Sequence, residues 1–375
     1  MLYHLLVPLA DSFSFLNVFR YATFRIVMAA LTALVATLVL YPGFIRALQR
    51  LQWGQSIRED GPESHLQKKG TPTMGGALLL GTVFLSVGLW ADLTNTSLWM
   101  VSLVTAGYGA LGFVDDYRKI RQRNSKGVSA KGKLLWQFLI AGVAVGLLLY
   151  VFKFDNTRVA VPFLSTDRYY PTLPLIVYLG FAVFVVVVTS NAVNLTDGLD
   201  GLAIGPTIVS AFVFMLLAYA AGTKLGIEVK PGEFQYFDIA RYLRIPYQEG
   251  APELAVFCAA IIGSSIGFLW YNTYPASVFM GDVGSLALGG ALGMLAIVTK
   301  NEFLSAIIHG VFAMEALSVV IQVTSFKLTG KRVFKMSPIH HHFELAGWAE
   351  PKIIVRFWIV SIMLALFALA TLKLR

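Results

Sequence analysis

The chain contains 375 residues, of which 57% are hydrophobic and 14% are charged, with a formal net charge of +9. Soluble domains carry about 25% charged residues. This composition and a mean hydropathy of +0.68 exclude an ordinary soluble enzyme and indicate an integral membrane protein. A polytopic helical bundle of this length is normally one unit, so we predict a single domain over residues 1–375.

Residues 1–22 precede the first long apolar run and mix apolar and aromatic side chains with Asp11 and Arg20. They lack the short basic region and the small-residue cleavage site of a secretory signal peptide. We predict that they form a short interfacial helix.

Ten apolar runs approach the length of a membrane helix, which is about 20 residues for a hydrocarbon core about 30 Å thick. The run 134–152 shows none of the apolar and polar alternation of a membrane β-strand. The predicted fold is therefore all-α, a polytopic membrane bundle of about ten transmembrane helices. The runs are 23–45, 74–92, 97–114, 133–152, 172–190, 199–221, 252–271, 283–299, 303–326 and 353–373.

Two features outside this pattern are interpreted as structural. The segment 157–163 could pair as a strand in a small hairpin. Cys258 lies within the seventh run, where a single cysteine is typical of a packing residue rather than of a catalytic thiol or a disulfide.

The distribution of Lys and Arg predicts the orientation of the bundle. Eighteen of the thirty lie in the segments 46–73, 115–133 and 327–356, and such residues concentrate in cytoplasmic loops. With ten spans, both termini then lie on the outer side. The expected cytoplasmic loops, which together form the predicted active site, are 46–73, 115–133, 191–198, 272–282 and 327–352.

Asp115 and Asp116 follow the third apolar run in the motif GFVDDYRK. A solvated helix end with an ion pair to Arg118 or Lys119 would explain them. Adjacent residues on a helix also point about 100° apart, so one carboxylate could face a metal while the other faces a substrate group.

Polar side chains recur at every third position in NAVNLTDGLDGL, at Asn191, Asn194, Asp197 and Asp200. Successive side chains at this spacing drift by about 60° around a helix, so they could form one broad polar face. Capping of a helix by Thr196 or Asp197 is the simpler alternative. We favour a binding surface, because a cap requires one residue rather than four.

Asp282 opens the eighth apolar run in the motif FMGDVGS. Glycines allow a close backbone approach, and the amides of a helix start favour phosphate. A carboxylate would repel that phosphate unless a cation lay between them, which points to Mg²⁺. An N-cap role for Asp282 is the structural alternative.

Three consecutive histidines, His340, His341 and His342, lie in a loop made cationic by three basic residues. Adjacent side chains cannot all converge on one tetrahedral zinc ion, so phosphate contact is favoured over metal binding, with a solvated charged loop as the alternative. The basic residues are Lys331, Arg332 and Lys335.

The ninth apolar run carries His309, Glu315 and Gln322 at membrane depth. Glu315 and Gln322 are seven residues apart and share a helix face, so hydrogen bonding between helices explains them. A proton relay through His309 and Glu315 in a proton-coupled transporter is the alternative from another functional class. That alternative predicts polar residues at mid-membrane, whereas most polar motifs here lie at the predicted cytoplasmic ends.

Taken together, these motifs resemble the polyprenyl-phosphate N-acetylhexosamine-1-phosphate transferase superfamily, in order and spacing, along essentially the whole chain. The triple histidine with Pro338 and Glu344 resembles specifically the phospho-N-acetylmuramoyl-pentapeptide transferase branch of bacterial peptidoglycan synthesis. The motifs are KKGTPTMGG (68–76), GFVDDYRK (112–119), NAVNLTDGLDGLA (191–203), FLWYNTYPASVFMGDVGSLALGG (268–290) and MSPIHHHFELAGW (336–348).

The resemblance implies transfer of phospho-MurNAc-pentapeptide from UDP-MurNAc-pentapeptide to undecaprenyl phosphate, giving lipid I and UMP with Mg²⁺ as cofactor. It implies a multi-pass protein of the bacterial inner membrane whose active site faces the cytoplasm. Membrane lipid is a further partner, a homodimer is compatible with the family, and no nucleic acid is expected. A UDP-GlcNAc:polyprenyl-phosphate GlcNAc-1-phosphate transferase is the alternative within the superfamily, against which the triple histidine argues.

The resemblance also implies residue roles. Asp282 and Asp116 are assigned to the metal, Asp115 to the acceptor phosphate and His340 to a substrate phosphate, with the carboxylate roles exchangeable. Direct attack by the acceptor and a covalent intermediate on Asp115 both stay open. The substrate-binding residues implied are Lys68, Thr73, Lys131, Asn194, Asp197, Asp200, Asn272, Phe279, His341 and His342.

Overall fold

A computed structural model describes residues 1–53, 70–122, 127–151, 157–164, 169–230 and 233–374. Fourteen α-helices lie within these residues. They are α1 (Leu2–Leu6), α2 (Ala22–Arg50), α3 (Gly76–Trp90), α4 (Thr96–Gln122), α5 (Ala130–Gly146), α6 (Leu175–Thr196), α7 (Ile204–Gly222), α8 (Ile239–Leu243), α9 (Ala251–Asn272), α10 (Gly281–Val298), α11 (Glu302–Ile308), α12 (Gly310–Thr329), α13 (Ile339–Leu345) and α14 (Glu350–Thr371).

Nine helices in the described part of the chain are long and apolar enough to cross a membrane, and α3 is a shorter apolar helix of 15 residues. A π-helical turn, Leu147–Val151, lengthens α5 to 22 residues. The prediction of an all-α, multi-pass membrane bundle with about ten apolar helices is confirmed. The nine are α2, α4, α5, α6, α7, α9, α10, α12 and α14.

The helix α10 lies at the centre of the bundle, with every residue from Val283 to Val298 buried and with α3, α4, α6 and α7 packed around it. A helix that is apolar on all sides, as this one is, must be buried on all sides. Gly112 of α4 permits the closest approach: a Cβ atom there would lie 2.2 Å from the backbone oxygen of Asp282. This contact brings the end of α4 that carries Asp115 beside the start of α10.

Several predicted boundaries are wrong. The predicted loops 46–73, 115–133 and 191–198 begin too early, because α2, α4 and α6 continue to Arg50, Gln122 and Thr196. The ninth run 303–326 is two helices, α11 and α12, which meet at His309. Gly310 follows directly and packs tightly on α14, since a Cβ atom there would lie 2.6 Å from Leu364 Cδ1. Hydropathy does not reveal this break, because apolar residues continue on both sides of His309.

Both termini lie at the end of the bundle away from Asp115. The amino group of Met1 donates to the carbonyl of Gly88 near the end of α3, and Lys373 Nζ donates to the Tyr242 carbonyl at 3.2 Å. Residues 1–22 form α1 and two 3₁₀ turns, Pro8–Asp11 and Ser14–Arg20, rather than one helix. Assignment of this end to the outer side of a membrane stays a prediction.

The same end carries an antiparallel hairpin of β1 (Lys224–Lys230) and β2 (Glu233–Asp238). In the part of this loop that the structure describes, 157–164 and 169–174, the strand predicted at 157–163 is represented by a single bridge between Arg158 and Thr172. Cys258 is fully buried in α9, as expected for a packing residue.

Candidate active site

Three carboxylates meet where the last turns of α4 face the first turn of α10. One oxygen from each of Asp115, Asp116 and Asp282 lies within 4.8 Å of the others. Asp115 is 1% exposed and Asp116 is 4% exposed, so the interpretation of this pair as a solvated helix end is wrong. The family resemblance predicted that these three aspartates share one site, and their carboxylates do lie together in the structure.

Two lysines neutralise most of this carboxylate charge. Lys119 Nζ lies 2.6 Å from Asp115 Oδ2, 3.0 Å from Asp282 Oδ2 and 3.5 Å from Asp116 Oδ1. Lys133 Nζ, from the first turn of α5, lies 2.7 Å from Asp282 Oδ2 and 3.3 Å from Asp115 Oδ2. Neither lysine was singled out as a site residue from the sequence, although the spacing of Lys119 from Asp115 on one helix was a usable signal.

Lys131, which was assigned to substrate instead, is exposed on α5. Its substrate role stays a prediction. Lys68 lies outside the described residues.

Backbone amides hold two of the carboxylates. Val128 donates its N–H to Asp115 Oδ1 at 2.7 Å, and Val283 donates to Asp116 Oδ2 at 3.3 Å. Met280 is the N-cap residue of α10 and no side chain caps this helix, so the N-cap interpretation of Asp282 is wrong. Its carboxylate faces outward from α10 toward the lysines and toward α6.

Asn194 connects α6 to the carboxylates. Its Nδ2 donates to Asp282 Oδ1 and to Ser285 Oγ, both at 2.8 Å. Asn191, one turn earlier, donates instead to Gln137 Oε1 of α5 at 2.8 Å. The expected single polar face is therefore divided, with only part of it directed to the site.

Asp197 follows the end of α6 and is half-buried. Burial, followed by the negative charges of Asp282, Asp116 and Asp200, raises its pKa well above the usual range. Capping by Thr196 or Asp197 is wrong, because α7 begins at Ile204 with Ala203 as its N-cap residue.

Asp200 and Asn272 are buried and join two loops. Asp200 Oδ2 accepts from the amide of Ala276 at 3.0 Å. Asn272 Oδ1 accepts from Gly201 N at 3.0 Å, and its Nδ2 donates to the Val278 carbonyl at 2.9 Å. Both side chains thus hold the segments 197–203 and 273–280 together, and their substrate contacts stay predictions.

The segment 70–75 completes this region. Phe279 is half-buried, and its backbone bonds to Pro72 O and Gly75 N at 2.8 Å each. Thr73 is buried beside the carboxylates, since a Cβ atom on Gly281 would lie 3.1 Å from Thr73 Oγ1 and 2.5 Å from an oxygen of Asp116. The roles of Phe279 and Thr73 toward substrate stay predictions.

Each of the three histidines has a different partner. His340 is fully buried, and its Nδ1 lies 3.1 Å from Glu315 Oε1 of α12. His341 Nδ1 lies 2.6 Å from Glu344 Oε2, and His342 Nδ1 accepts from the backbone of Lys335 at 3.1 Å.

Of the three, His340 is packed against the turn after α6. A Cβ atom on Gly198 would lie 2.4 Å from His340 Nε2. The interpretation of this segment as a solvated charged loop is wrong for His340, and its position beside Asp197 fits the phosphate contact that was predicted.

His309 and Glu315 have separate surroundings. The imidazole of His309 lies 5.5 Å from the Phe214 ring and 6.2 Å from the Phe312 ring, centroid to centroid, whereas Glu315 contacts His340. This separation offers no support for a proton relay between them.

Sequence comparison with known proteins identifies the relatives of this chain. Residues 98–300 match the family model of glycosyl transferase family 4. The chain is 56% identical to the phospho-N-acetylmuramoyl-pentapeptide-transferase of Anaeromyxobacter sp. (strain K) and 56% identical to that of Sorangium cellulosum (strain So ce56). It is 53% identical to that of Citrifermentans bemidjiense, and in all three cases the similarity covers 100% of both chains.

Full-length similarity at this level, together with the family match across the helices that carry the carboxylates, shows the relationship. The chain belongs to glycosyl transferase family 4, within its phospho-N-acetylmuramoyl-pentapeptide-transferase group.

Proposed function

We propose that this chain transfers phospho-MurNAc-pentapeptide from UDP-MurNAc-pentapeptide to undecaprenyl phosphate, with lipid I and UMP as products. The reaction takes place at the cytoplasmic face of the bacterial inner membrane, as the first membrane step of peptidoglycan synthesis, on which cell shape and division depend. The observation that supports it most strongly is the meeting of Asp115, Asp116 and Asp282 in a chain with full-length relatives of this name.

Oxygen ligands in this arrangement fit Mg²⁺, which prefers hard oxygen donors and is usually held by one or two carboxylates together with substrate phosphates. Asp282 and Asp116 would hold the ion, which neutralises negative charge on the diphosphate of the donor when it is bound. Asp115 is assigned to the acceptor phosphate instead, as the resemblance implies, and its two oxygens contact Val128 N and Lys119 Nζ at 2.7 and 2.6 Å.

The same contacts favour direct attack by the acceptor. The second pKa of a phosphate monoester is about 6, so the acceptor phosphate is largely dianionic at neutral pH and needs no strong base. An Asp115 carboxylate engaged by an ammonium group is a weakened nucleophile. In the direct step an acceptor oxygen bonds to the sugar-linked phosphorus of the donor, the bond from that phosphorus to the bridging oxygen breaks, and UMP leaves with the electron pair.

The two lysines are positively charged, whereas the carboxylates and both substrates are negatively charged, and this complementarity indicates two roles for the lysines. Lys119 and Lys133 hold the carboxylates in position and carry positive charge to the place where two anionic substrates must meet. Holding the two phosphates in line supplies most of the rate acceleration in this kind of chemistry.

The donor pocket is assigned as the family resemblance implies. Phe279 stacks on uracil, Asn194 and Asp197 line the sugar and diphosphate region, and His340 contacts a substrate phosphate. The remaining polar contacts to substrate are assigned to Lys68, Thr73, Lys131, Asp200, Asn272, His341 and His342.

Purified protein assayed with Mg²⁺, a polyprenyl phosphate and each of two UDP-sugars tests this proposal. We expect UMP release and a phospholipid-linked sugar from UDP-MurNAc-pentapeptide, and none from UDP-GlcNAc. Turnover with UDP-GlcNAc alone would refute the proposed donor. Lack of turnover with either donor, under conditions where a relative of this group is active, would refute the proposed reaction.

A further inference from the structure

The buried face of α12 contacts the segment that carries the histidines at two places. Glu315 is fully buried, and both its oxygens face His340: Oε1 lies 3.1 Å from Nδ1, and Oε2 lies 3.5 Å from the backbone nitrogen. Gln322, two turns later, accepts from the amides of Val333 and Phe334 at 3.0 and 2.9 Å and donates to the Phe334 carbonyl at 3.0 Å. One helix therefore holds both the ring of His340 and the chain leading to it.

We propose that Glu315 is a positioning residue for His340. It fixes the imidazole so that Nδ1 is the protonated nitrogen directed at the carboxylate, and Nε2 is the nitrogen presented to substrate beside Gly198. This inference rests on the proposed phosphate contact of His340 and adds the group that sets the orientation and protonated nitrogen of that ring.

Burial is the first argument. A carboxylate removed from water must be paired or hydrogen-bonded, because its desolvation costs several kcal/mol. Glu315 and His340 are both 0% exposed, and among the described residues His340 supplies the donor groups that face this carboxylate. The proton on one ring nitrogen is set by the hydrogen bond that this nitrogen makes, so an acceptor at Nδ1 assigns the proton to Nδ1.

The second argument concerns the other nitrogen of the ring. His340 Nε2 is buried and has no hydrogen-bond partner among the described residues, while a Cβ atom at position 198 would lie 2.4 Å from it. The residue there is a glycine, so the backbone of the turn after Asp197 can approach the ring. A buried polar atom of this kind, in contact with the turn that borders the carboxylates, fits a group that is satisfied when a substrate oxygen arrives.

The third argument concerns the alignment of His340 Nδ1 with Glu315 Oε1. Nδ1 and Oε1 are within ion-pair distance, yet their directions do not form a straight hydrogen bond. Hydrogen bonds of catalytic groups are often poorly aligned before substrate binds and tighten in the productive complex. Since the backbone nitrogen of His340 also faces Glu315, the carboxylate holds the first turn of α13 as well as the ring.

A double-mutant cycle on the full-length protein tests the proposal, with Glu315→Gln, His340→Asn and the double variant. Removing the partner that orients a metal-ligating histidine reduces metal affinity or activity by roughly 10- to 100-fold, and we expect a loss of the same order for a histidine that contacts substrate. We expect Glu315→Gln to lower kcat by that factor and to leave the KM for the UDP donor within about threefold. In the His340→Asn background the same change should have no further effect, because Glu315 acts through this ring.

Ser318→Ala is the matched control. Ser318 is one turn further along α12 and 2% exposed, and its hydroxyl donates to the Glu315 carbonyl at 2.7 Å. We expect wild-type kcat and an unchanged thermal unfolding midpoint. Additive losses of kcat in the cycle would show that Glu315 acts on the fold rather than on His340, and would refute the proposal.

Nitrogen NMR of histidine-labelled protein gives a readout that does not depend on turnover. The His340 signals are assigned by their loss in His340→Asn, and we expect a protonated Nδ1 in the wild type that changes in Glu315→Gln. Unchanged signals would refute the contact. An active His340→Asn variant would instead refute the phosphate role of His340 in the proposed function, and the NMR result would still decide whether Glu315 orients the ring.

Discussion

Replacement of Asp282 by asparagine is the most direct test of the carboxylate cluster. The side chain keeps its shape and loses its charge, and the structure shows what its two oxygens face. Oδ1 accepts from Asn194 Nδ2 at 2.8 Å, and Oδ2 contacts Lys133 Nζ at 2.7 Å and Lys119 Nζ at 3.0 Å. In either orientation, the new amide NH₂ therefore meets another hydrogen-bond donor.

The expected loss of metal affinity follows from the charge. Two unit charges 4 Å apart interact by about 4 kcal/mol at an effective dielectric constant of about 20, and a divalent ion doubles this to about 8 kcal/mol. The amide oxygen of the asparagine and water molecules would still bind the ion, and they offset much of this lost interaction energy. We expect at least a 100-fold weaker metal site, which corresponds to about 2.8 kcal/mol, and loss of turnover at ordinary Mg²⁺ concentrations.

The fold should tolerate this change. Lys119 and Lys133 both keep Asp115 as a partner, at 2.6 and 3.3 Å, so neither ammonium group is left without a counter-charge. We expect the thermal unfolding midpoint in detergent to stay close to that of the wild type. Loss of activity would then report on the site rather than on folding.

The assay combines an Mg²⁺ titration of UMP release with Mn²⁺ binding followed by electron paramagnetic resonance. Asp238→Asn is the control, because it removes one carboxylate at the opposite end of the bundle, where Asp238 caps α8 by accepting from Arg241 N at 3.1 Å. Near-normal turnover of Asp282→Asn at ordinary Mg²⁺, or unchanged Mn²⁺ binding, would remove Asp282 from the metal site.

Three further predictions concern orientation, the chemical step and packing. A cysteine at Ala346 should react only with reagents that reach the cytoplasm, and one at Lys224 only with reagents added outside, because these positions lie at opposite ends of the bundle and are exposed. Asp115→Asn should slow turnover but leave a measurable rate that increases as pH rises through the second pKa of the acceptor phosphate, about 6, since the dianion is the attacking species. Gly112→Ala should lower the free energy of unfolding by about 1–3 kcal/mol and reduce kcat, because its Cβ atom would press on the start of α10; thermal unfolding and UMP release measure the two effects.

A specific experimental outcome would contradict each of these three predictions. Labelling of both cysteines from one side, or from the sides opposite to those expected, would overturn the topology. An Asp115→Asn protein without activity at every pH, together with exchange of labelled UMP into the donor by wild-type protein stripped of polyprenyl phosphate, would establish a covalent route. Gly142→Ala is the packing control, because nothing lies within 4 Å of a Cβ atom there; equal destabilisation by both alanines would refute the close-contact argument.

The sequence predicts the membrane helices well, because an apolar run of sufficient length is a one-dimensional signal. It does not predict which of two nearby lysines reaches the carboxylates. Lys131 and Lys133 are two positions apart and point about 200° apart on a helix, so the choice depends on the rotation of α5 against α4, which only packing determines. The break at His309 is hidden for a related reason, because it depends on the contact of Gly310 with α14 rather than on hydropathy.

The roles of buried polar residues were the least predictable part of the site. Asn272 and Asp200 lie in motifs that imply substrate contacts, yet their side chains form hydrogen bonds with the backbone of two loops. Glu315 was interpreted as a residue that hydrogen-bonds between helices, and its contact does join two helices, but the partner, His340 of α13, lies 25 residues further along the chain and could not be named in advance. A single sequence specifies which residue types are present, whereas such pairings depend on how loops return to the same end of the bundle.

The distance along the chain between the parts of the carboxylate cluster has a consequence for biosynthesis. Lys119 and Asp282 are separated by 163 residues, and at about 5–20 residues per second the ribosome needs roughly ten to thirty seconds to produce the second after the first. During that interval Asp115 and Asp116 of α4 lack Asp282, the third carboxylate of the cluster. Lys119, one turn from Asp115 on the same helix, supplies a counter-charge from within α4, so this helix carries its own neutralising group until α10 completes the site.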